Sequence, residues 1–582
     1  MNKTPQYFAL FILSIVIASS LYLSWSTDRG LGELEVERFS IEREPGRTVN
    51  FMVYKPRTTT YDGPLPLVLT AHGVAGSKEG MYSFNIELAR RNFTVVSVDS
   101  PGHGDSMLPF VLDDFENMAL DLLAAVEYVQ AWPDVNSTHY GVLTHSLGFQ
   151  VAVEMQNFTN APFAYTAVGG VADMGLGKIT HLPGNLMIAM GELDEMISVE
   201  DALETIRAAS GLEEIQPGVT YGSFENQSAY RVGTAPTDHV FEAIDGTIVA
   251  EACSWMVQAL QGPNQLQHTR DLSDQIFGYK SFAMASGVFA LLLSVLPLVM
   301  ILNSVLPERI RPKPSPTKTK PESIKRSMII SAVLGTAVVL LFSASSSITY
   351  HLENLHIYWP NSMFATGLVL FFVFFTITAI VTLRVGLGKD QMLNAFHAAG
   401  IRFGEPKELV KDILRGALLA IIVIYWLVGW MALGGIPESM QPWIIFQMVR
   451  YPVGTRVTNI VILMIVAIPY YISETAWIRG ILVDSREWGS NTFTKNIIFA
   501  AIGRLGVAAF WSVFIVSITT ILGFIAGSMV LLGLLLMLFT IVSTLATILI
   551  AWTAQEIQNP WPAVFISAFI WAWVAISSIP LI

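Results

Sequence analysis

Apolar and polar positions follow two regimes along this chain. Between residues 26 and 262, short apolar runs alternate with helical segments. The pattern predicts strands over 48–54, 65–71, 93–98, 139–144, 163–170 and 186–190. It predicts helices over 80–91, 113–132, 147–157, 198–209 and 240–260. Such alternation implies an α/β fold, a mostly parallel sheet with helices on both faces. Sites in such sheets lie at the carboxyl ends of the strands.

From about residue 279 the apolar runs lengthen to about 20 residues, enough to cross a hydrocarbon core of ~30 Å. They cover 279–304, 327–349, 363–384, 413–434, 458–478, 497–517, one or two stretches within 519–554, and 561–581. A further apolar run, 7–25, follows Lys3. It reads as a signal segment or an anchor; its length and the lack of a small-x-small site favour the anchor. The expected organisation is a segment 1–26, a soluble α/β domain 33–262, a linker 263–278 and a polytopic all-α transmembrane domain 279–582 with nine or ten spans in total.

Charge gives these spans a direction. The densest positive cluster lies in 305–326, with Arg309, Arg311, Lys313, Lys318, Lys320, Lys325 and Arg326 among prolines. The positive-inside rule makes this a cytoplasmic linker, and so sets the soluble domain outside, in a multi-pass plasma-membrane protein. The segment 350–362 has no Lys or Arg, whereas 384–412 has Arg384, Lys389, Arg402, Lys407 and Lys411, as that alternation requires. Sequons at Asn92, Asn136, Asn157 and Asn226 agree with export.

Only 14% of the residues are charged, against about 25% in soluble proteins. Residues 26–262 carry 12 Lys and Arg against 32 Asp and Glu, a net of −20; the whole chain is −12, so the remainder is +8. An acidic soluble part beside basic membrane loops argues against a nucleic-acid partner. The single cysteine, Cys253, permits neither an intrachain disulfide nor a cysteine metal site. No motif asks for a cofactor.

Three turns at strand ends carry candidate chemistry. Ala71-His72-Gly73-Val74-Ala75-Gly76 follows a central strand, and Asp99-Ser100-Pro101-Gly102-His103-Gly104-Asp105-Ser106 follows another. Thr144-His145-Ser146-Leu147-Gly148 joins a strand to a helix, the context of a nucleophile elbow, with Thr144 where glycine is usual. The N–H groups of Val74 and Leu147 could converge on an oxyanion. His72, His103 and His145 read as turn histidines rather than metal ligands.

In this order and spacing the three strings resemble the α/β-hydrolase superfamily over about residues 33–262. The resemblance implies a Ser–acid–His triad in that chain order. Ser146 then looks like the nucleophile, and His239, in Asp238-His239-Val240-Phe241-Glu242, like the base. Among the acids Asp173, Asp194, Asp201 and Asp238, Asp194 in Gly191-Glu192-Leu193-Asp194 matches the family's acid turn, with Asp173 next. The implied activity is serine hydrolysis of a small-molecule, lipid or peptide ester or amide. Only 48 positions separate Ser146 from Asp194, so an open cleft without a helical cap is expected. The alternative is a transporter or lipid-binding membrane protein whose hydrolase-like domain only recognises ligand.

In the membrane half, Glu474-Thr475-Ala476-Trp477-Ile478-Arg479-Gly480 resembles a degraded E-E-x-x-F-R-G motif of the CAAX-protease and bacteriocin-processing family, with Thr475 for the second glutamate. No histidine follows His397, so that family's later histidines are missing. Arg504 interrupts an apolar run, a position costly in lipid.

Overall fold

A computed structural model describes residues 4–59, 61–174, 179, 181–194, 196–306, 324–353, 355, 359–435, 450–478, 481, 502, 506, 510, 542–553, 557 and 559–582. Most of the basic linker, Arg479, Gly480, Arg504, most of the span 497–517 and the first part of 519–554 lie outside the described residues.

The chain divides into two compact units. One comprises Ala18–Val288, Met431–Tyr451 and Ser577–Ile582, and it holds an eight-stranded sheet. The strands are β1 (Leu34–Glu44), β2 (Arg47–Pro56), β3 (Leu65–Ala71), β4 (Thr94–Val98), β5 (Val135–His145), β6 (Pro162–Val168), β7 (Leu186–Gly191) and β8 (Tyr230–Ala235). Their order is β1-β2-β4-β3-β5-β6-β7-β8. The six strands from β4 to β8 run parallel, and β1–β2 is an antiparallel hairpin on the β4 edge.

Helices α2 (Tyr82–Ala89) and α6 (Gly246–Met256) pack together on this sheet, as do α3 (Phe115–Gln130) and α4 (Gly148–Glu154). A fifth helix, α5 (Val199–Ser210), packs on β7 and β8. The sheet strands β3 and β4 read LPLVLTA and TVVSV and are buried throughout, as parallel strands covered on both faces must be. Phe84, Leu88, Ile248, Ala252 and Trp255 pack with Val68, Val95, Leu143 and Met187 in one core. Each large side chain fully buried there contributes about 1.5–3 kcal/mol, which is how this unit stands without a disulfide. Cys253 is a free thiol within that core, and burial pushes it up to about 12.

Three elements depart from the sequence expectation. Strands β1 and β8 were not expected. The stretch expected as a helix over 240–260 begins only at Gly246, because Asp245 caps it by accepting from the N–H groups of Thr247 and Ile248 at 2.8 and 3.0 Å. Residues 239–245 are thereby freed to form turns.

This unit reaches past residues 33–262. Buried Lys280 donates to Asp28 at 2.5 and 2.6 Å, joining the ends of α1 (Thr4–Asp28) and α7 (Phe277–Val305). Ser20 and Ser286 hydrogen-bond one helical stretch further along at 3.1 Å. Backbone pairing also ties Leu581 to the sheet's loops: its N–H donates to the Gly102 carbonyl at 2.9 Å, and its carbonyl accepts from Phe110 at 2.8 Å. A side chain at Gly102 would come 2.4 Å from the Leu581 carbonyl, so glycine is needed for this approach.

The second unit, Met1–Ile17, Phe289–Trp430 and Pro452–Ile576, is helical. It contains most of α7, then α8 (Ile324–Glu353), α9 (Ala365–Leu387), α10 (Lys389–Ala398), α11 (Pro406–Gly435), α12 (Thr455–Trp477) and a helix over Trp561–Ser578. Tyr470 of α12 packs its ring against Phe371, Phe372 and Phe375 of α9 at centroid separations of 5.0–5.8 Å. Among the described residues five helices, α1, α7, α9, α11 and α12, are long and apolar enough to cross a membrane. Shorter apolar helices cover Ile329–Phe342, Val542–Thr553 and Trp561–Ser577. The short helix α10 lies in the stretch expected as a cytoplasmic loop.

Candidate active site

The end of β5 turns sharply into α4, and Ser146 sits on that turn with φ of +52°. Such a backbone is strained for a side-chain-bearing residue by roughly 1–3 kcal/mol. The surroundings enforce it. The Ser146 N–H donates to the Val168 carbonyl at 2.8 Å. A Cβ on Gly148 would come 2.6 Å from the Ala71 carbonyl, and one on Gly73 would come 2.7 Å from the Ser146 Cβ. Smallness is therefore needed at 148 and on the facing loop. Thr144 is accommodated because its hydroxyl turns along the sheet toward the Thr166 carbonyl at 3.4 Å.

Three side chains from separate loops meet here. His239 Nδ1 donates to Asp194 Oδ2 at 2.8 Å, which leaves Nε2 to accept from the Ser146 hydroxyl at 3.2 Å. Asp194 is held by its other oxygen, Oδ1, which accepts from the N–H groups of Met196 and Ile197 at 2.7 and 2.9 Å. Its side chain is wholly buried. The other candidate acids do different work. Asp201 forms a capping box with Ser198 at the start of α5, Asp238 accepts from Val240 and Phe241, and Asp173 is exposed. The described residues between β6 and β7 contain no helix.

Leu147 follows Ser146, and Val74 follows Gly73, where a Cβ would come 2.7 Å from the Ser146 Cβ. A tight turn, Gly76 N–H to the Gly73 carbonyl at 3.1 Å with Ala75 at φ +61°, presents the Val74 amide. Two histidines brace this turn against the loop after β4. His72 Nδ1 donates to the Gly73 carbonyl at 2.7 Å, so its Nε2 accepts from Ser100 N–H at 3.1 Å. His103 Nδ1 donates to the Pro101 carbonyl at 2.8 Å, and its Nε2 accepts from Ala75 N–H at 3.2 Å. Both rings thus have each nitrogen committed, which makes them braces of the loops.

Beneath them lies a buried cluster of ions. Lys78 Nζ contacts Asp99 and Asp105 at 2.5 Å each and Glu79 at 3.1 Å. Arg38 bridges Glu79 at 3.0 Å and Asp105 at 3.2 Å, and Arg450 also pairs with Asp105. Three cations meet three anions, so the cluster is balanced. Nothing in the sequence spacing announced Arg450, which lies 345 positions from its partner.

His145 is packed beside His239, with ring centroids 5.2 Å apart, and its Nε2 donates to the His239 carbonyl at 3.3 Å. Burial, reinforced by the neighbouring His239, pushes His145 down to about 3. It therefore stays neutral in the fold while the unfolded chain takes up a proton near pH 6.5. The stabilisation is whole above that pH and is lost as pH falls from 6.5 toward 3, by at most about 1.4 kcal/mol per unit. We expect His145→Gln to flatten this part of the stability–pH curve. Denaturant midpoints between pH 7 and pH 5 check it, and an unchanged slope would count against the assignment.

Ligand atoms of His145, His239 and Glu242 lie within 4.8 Å of one another. His145 Nε2 is bonded to a carbonyl and His239 Nδ1 to Asp194, so a cation could enter only by breaking those contacts. In the helical unit, Glu474 is buried within α12 beside Thr475.

No protein-family model matches the chain, and no curated protein matches it. Solved structures resemble it over part of its length. A cold-adapted esterase from an Arctic intertidal metagenomic library, bound to polyethylene glycol, has 18% identity, covering 39% of this chain and 95% of its own, with a TM-score of 0.30. A hypothetical protein from Pseudomonas aeruginosa has 13% identity, with 39% and 94% covered and a TM-score of 0.30. DcsB in complex with a substrate analogue has 12% identity, with 39% and 100% covered and a TM-score of 0.31. At this level the likeness says nothing of activity. The N-terminal part is α/β-hydrolase-like in fold by its own sheet and turns.

Proposed function

We propose that this protein is a membrane-bound serine hydrolase that transfers the acyl group of an ester or amide to water. The observation that carries the reading is the chain of contacts from Ser146 Oγ through His239 to Asp194, at 3.2 and 2.8 Å. His239 takes the Ser146 proton as the oxygen attacks the substrate carbonyl, and returns it to the leaving group. Asp194 holds the tautomer that leaves Nε2 free to accept. The Val74 and Leu147 amides stabilise the tetrahedral oxyanion. Water then attacks the acyl-enzyme with His239 again as base.

The substrate is a small-molecule, lipid or peptide ester or amide, met on the extracytoplasmic side. Two measurements test this. A fluorophosphonate probe should label the detergent-solubilised full chain, and His239→Ala should abolish the labelling. Folded wild-type protein that stays unlabelled would sink the hydrolase reading. Sidedness can be read by cysteine chemistry, because buried Cys253 gives little background. We expect Glu213→Cys, at an exposed position, to react with an impermeant maleimide on intact cells. Ser315→Cys, in the basic linker, should react only after permeabilisation. The reverse pattern would overturn the orientation.

A further inference from the structure

Next to the three side chains above lies a fourth that the triad does not use. Glu242 follows His239 by three positions, and its side chain is wholly buried. Its Oε1 accepts from the Gly191 N–H at 2.5 Å, which anchors it to the end of β7, the strand that leads into the Asp194 turn. Its Oε2 lies 3.6 Å from His239 Nδ1 and 4.0 Å from His145 Nε2. A Cβ on Gly169 would come 2.1 Å from that Oε2 and 2.9 Å from the His239 ring. Gly169, at φ +55°, thus leaves the room in which carboxylate and imidazole approach.

Resting on the reading of Ser146, His239 and Asp194 as a triad, we propose that Glu242 is a second carboxylate for His239, a positioning residue that shares with Asp194 the orientation and charge stabilisation of the imidazole. A buried carboxylate is costly unless charge or hydrogen bonds compensate it. Two imidazoles lie within 4.0 Å. His145 stays neutral, so His239 is the ring that brings positive charge to Glu242. During the reaction that charge is gained as His239 takes the serine proton. The contact is therefore stronger in the transition state than in the resting site, the condition for it to raise the rate.

A single orienting acid is worth about 10⁴ in rate. If two acids share the task, removing either costs about 10²-fold and removing both about 10⁴-fold. The readout is the second-order rate of fluorophosphonate labelling at Ser146 in the full chain in detergent. We expect Glu242→Gln and Asp194→Asn each to slow it about 100-fold, and the double variant about 10⁴-fold. Among the described residues, groups facing the imidazole include Asp194, Glu242, His145 and Ser146. Removing one negative charge among them disfavours the imidazolium, so the acid limb of the rate profile moves to lower pH in Glu242→Gln. Glu242→Asp, which keeps the charge, leaves the limb in place.

A Glu242→Gln protein labelled at the wild-type rate, with an unmoved acid limb, would overturn the proposal. So would an Asp194→Asn protein already as slow as the double variant, a comparison that holds even if one single variant folds poorly. Failure of the wild-type chain to label at all would instead overturn the hydrolase reading.

Discussion

Ser146→Ala should lower kcat/KM toward a nitrophenyl ester by about 10⁴-fold or more, a loss of about 5 kcal/mol of transition-state stabilisation. KM should stay near its starting value, because the hydroxyl contributes bond formation rather than substrate binding. The variant should remain folded. Alanine at this strained position keeps the Cβ against which Gly73 packs, and the Ser146 N–H bond to the Val168 carbonyl is a backbone contact that substitution leaves alone. Thermal melting beside the kinetics separates the two effects. Wild-type turnover by a folded Ser146→Ala protein would remove the nucleophile, and with it the proposed chemistry.

Lys78→Met should produce the largest loss of stability. Lys78 is 1% exposed and touches three carboxylates, of Glu79, Asp99 and Asp105. Without it two arginines face two buried acids and the half-buried Asp105, and breaking a buried ion arrangement by removing one partner costs about 3–5 kcal/mol. For a unit of this size that is roughly 10 °C in melting temperature. The acid response should change as well. Burial alone would raise the Asp105 carboxyl, but Lys78 and then Arg450 overcome it and hold it at about 2. Its contribution is present above the ordinary aspartate value near 3.8 and fades as pH falls through about 2. Melting curves between pH 5 and pH 2 should show this acid weakening in the wild type and less of it in Lys78→Met. A variant melting within a degree or two of wild type would mean the cluster is slack.

Much of the sheet could be read from the chain because its central strands are short, apolar and framed by turns. The two edge elements escaped for opposite reasons. β1, LEVERFSIERE, pairs only with β2 among the described residues and alternates with charges on its outer face, so it reads as polar. β8, YRVGTA, is short and carries Arg231, which pairs with Glu251 at 2.8 Å. In the site, the resemblance carried by the turns at 71–76, 99–106 and 144–148 pointed to Ser146, His239 and Asp194, with Asp173 as the next acid. Glu242 and Gly169 were not legible: their importance lies in a convergence of loops after β6, β7 and β8 that linear spacing does not encode. Thr144 looked like a defect in the elbow. In three dimensions the tight approach falls on Gly148 and Gly73, and a threonine fits.

The pairing of Gly102 with Leu581 spans 479 positions of chain. A ribosome making this protein therefore completes the sheet long before the backbone partner of the loop after β4 exists. All the intervening helices must be synthesised first. The α/β layer can gather early around its own core, while the segment bearing His103, the brace of the Val74 turn, acquires this support only after those helices have been made. Biogenesis would then proceed in two stages, with a preformed sheet waiting for a latch encoded beyond the intervening helices.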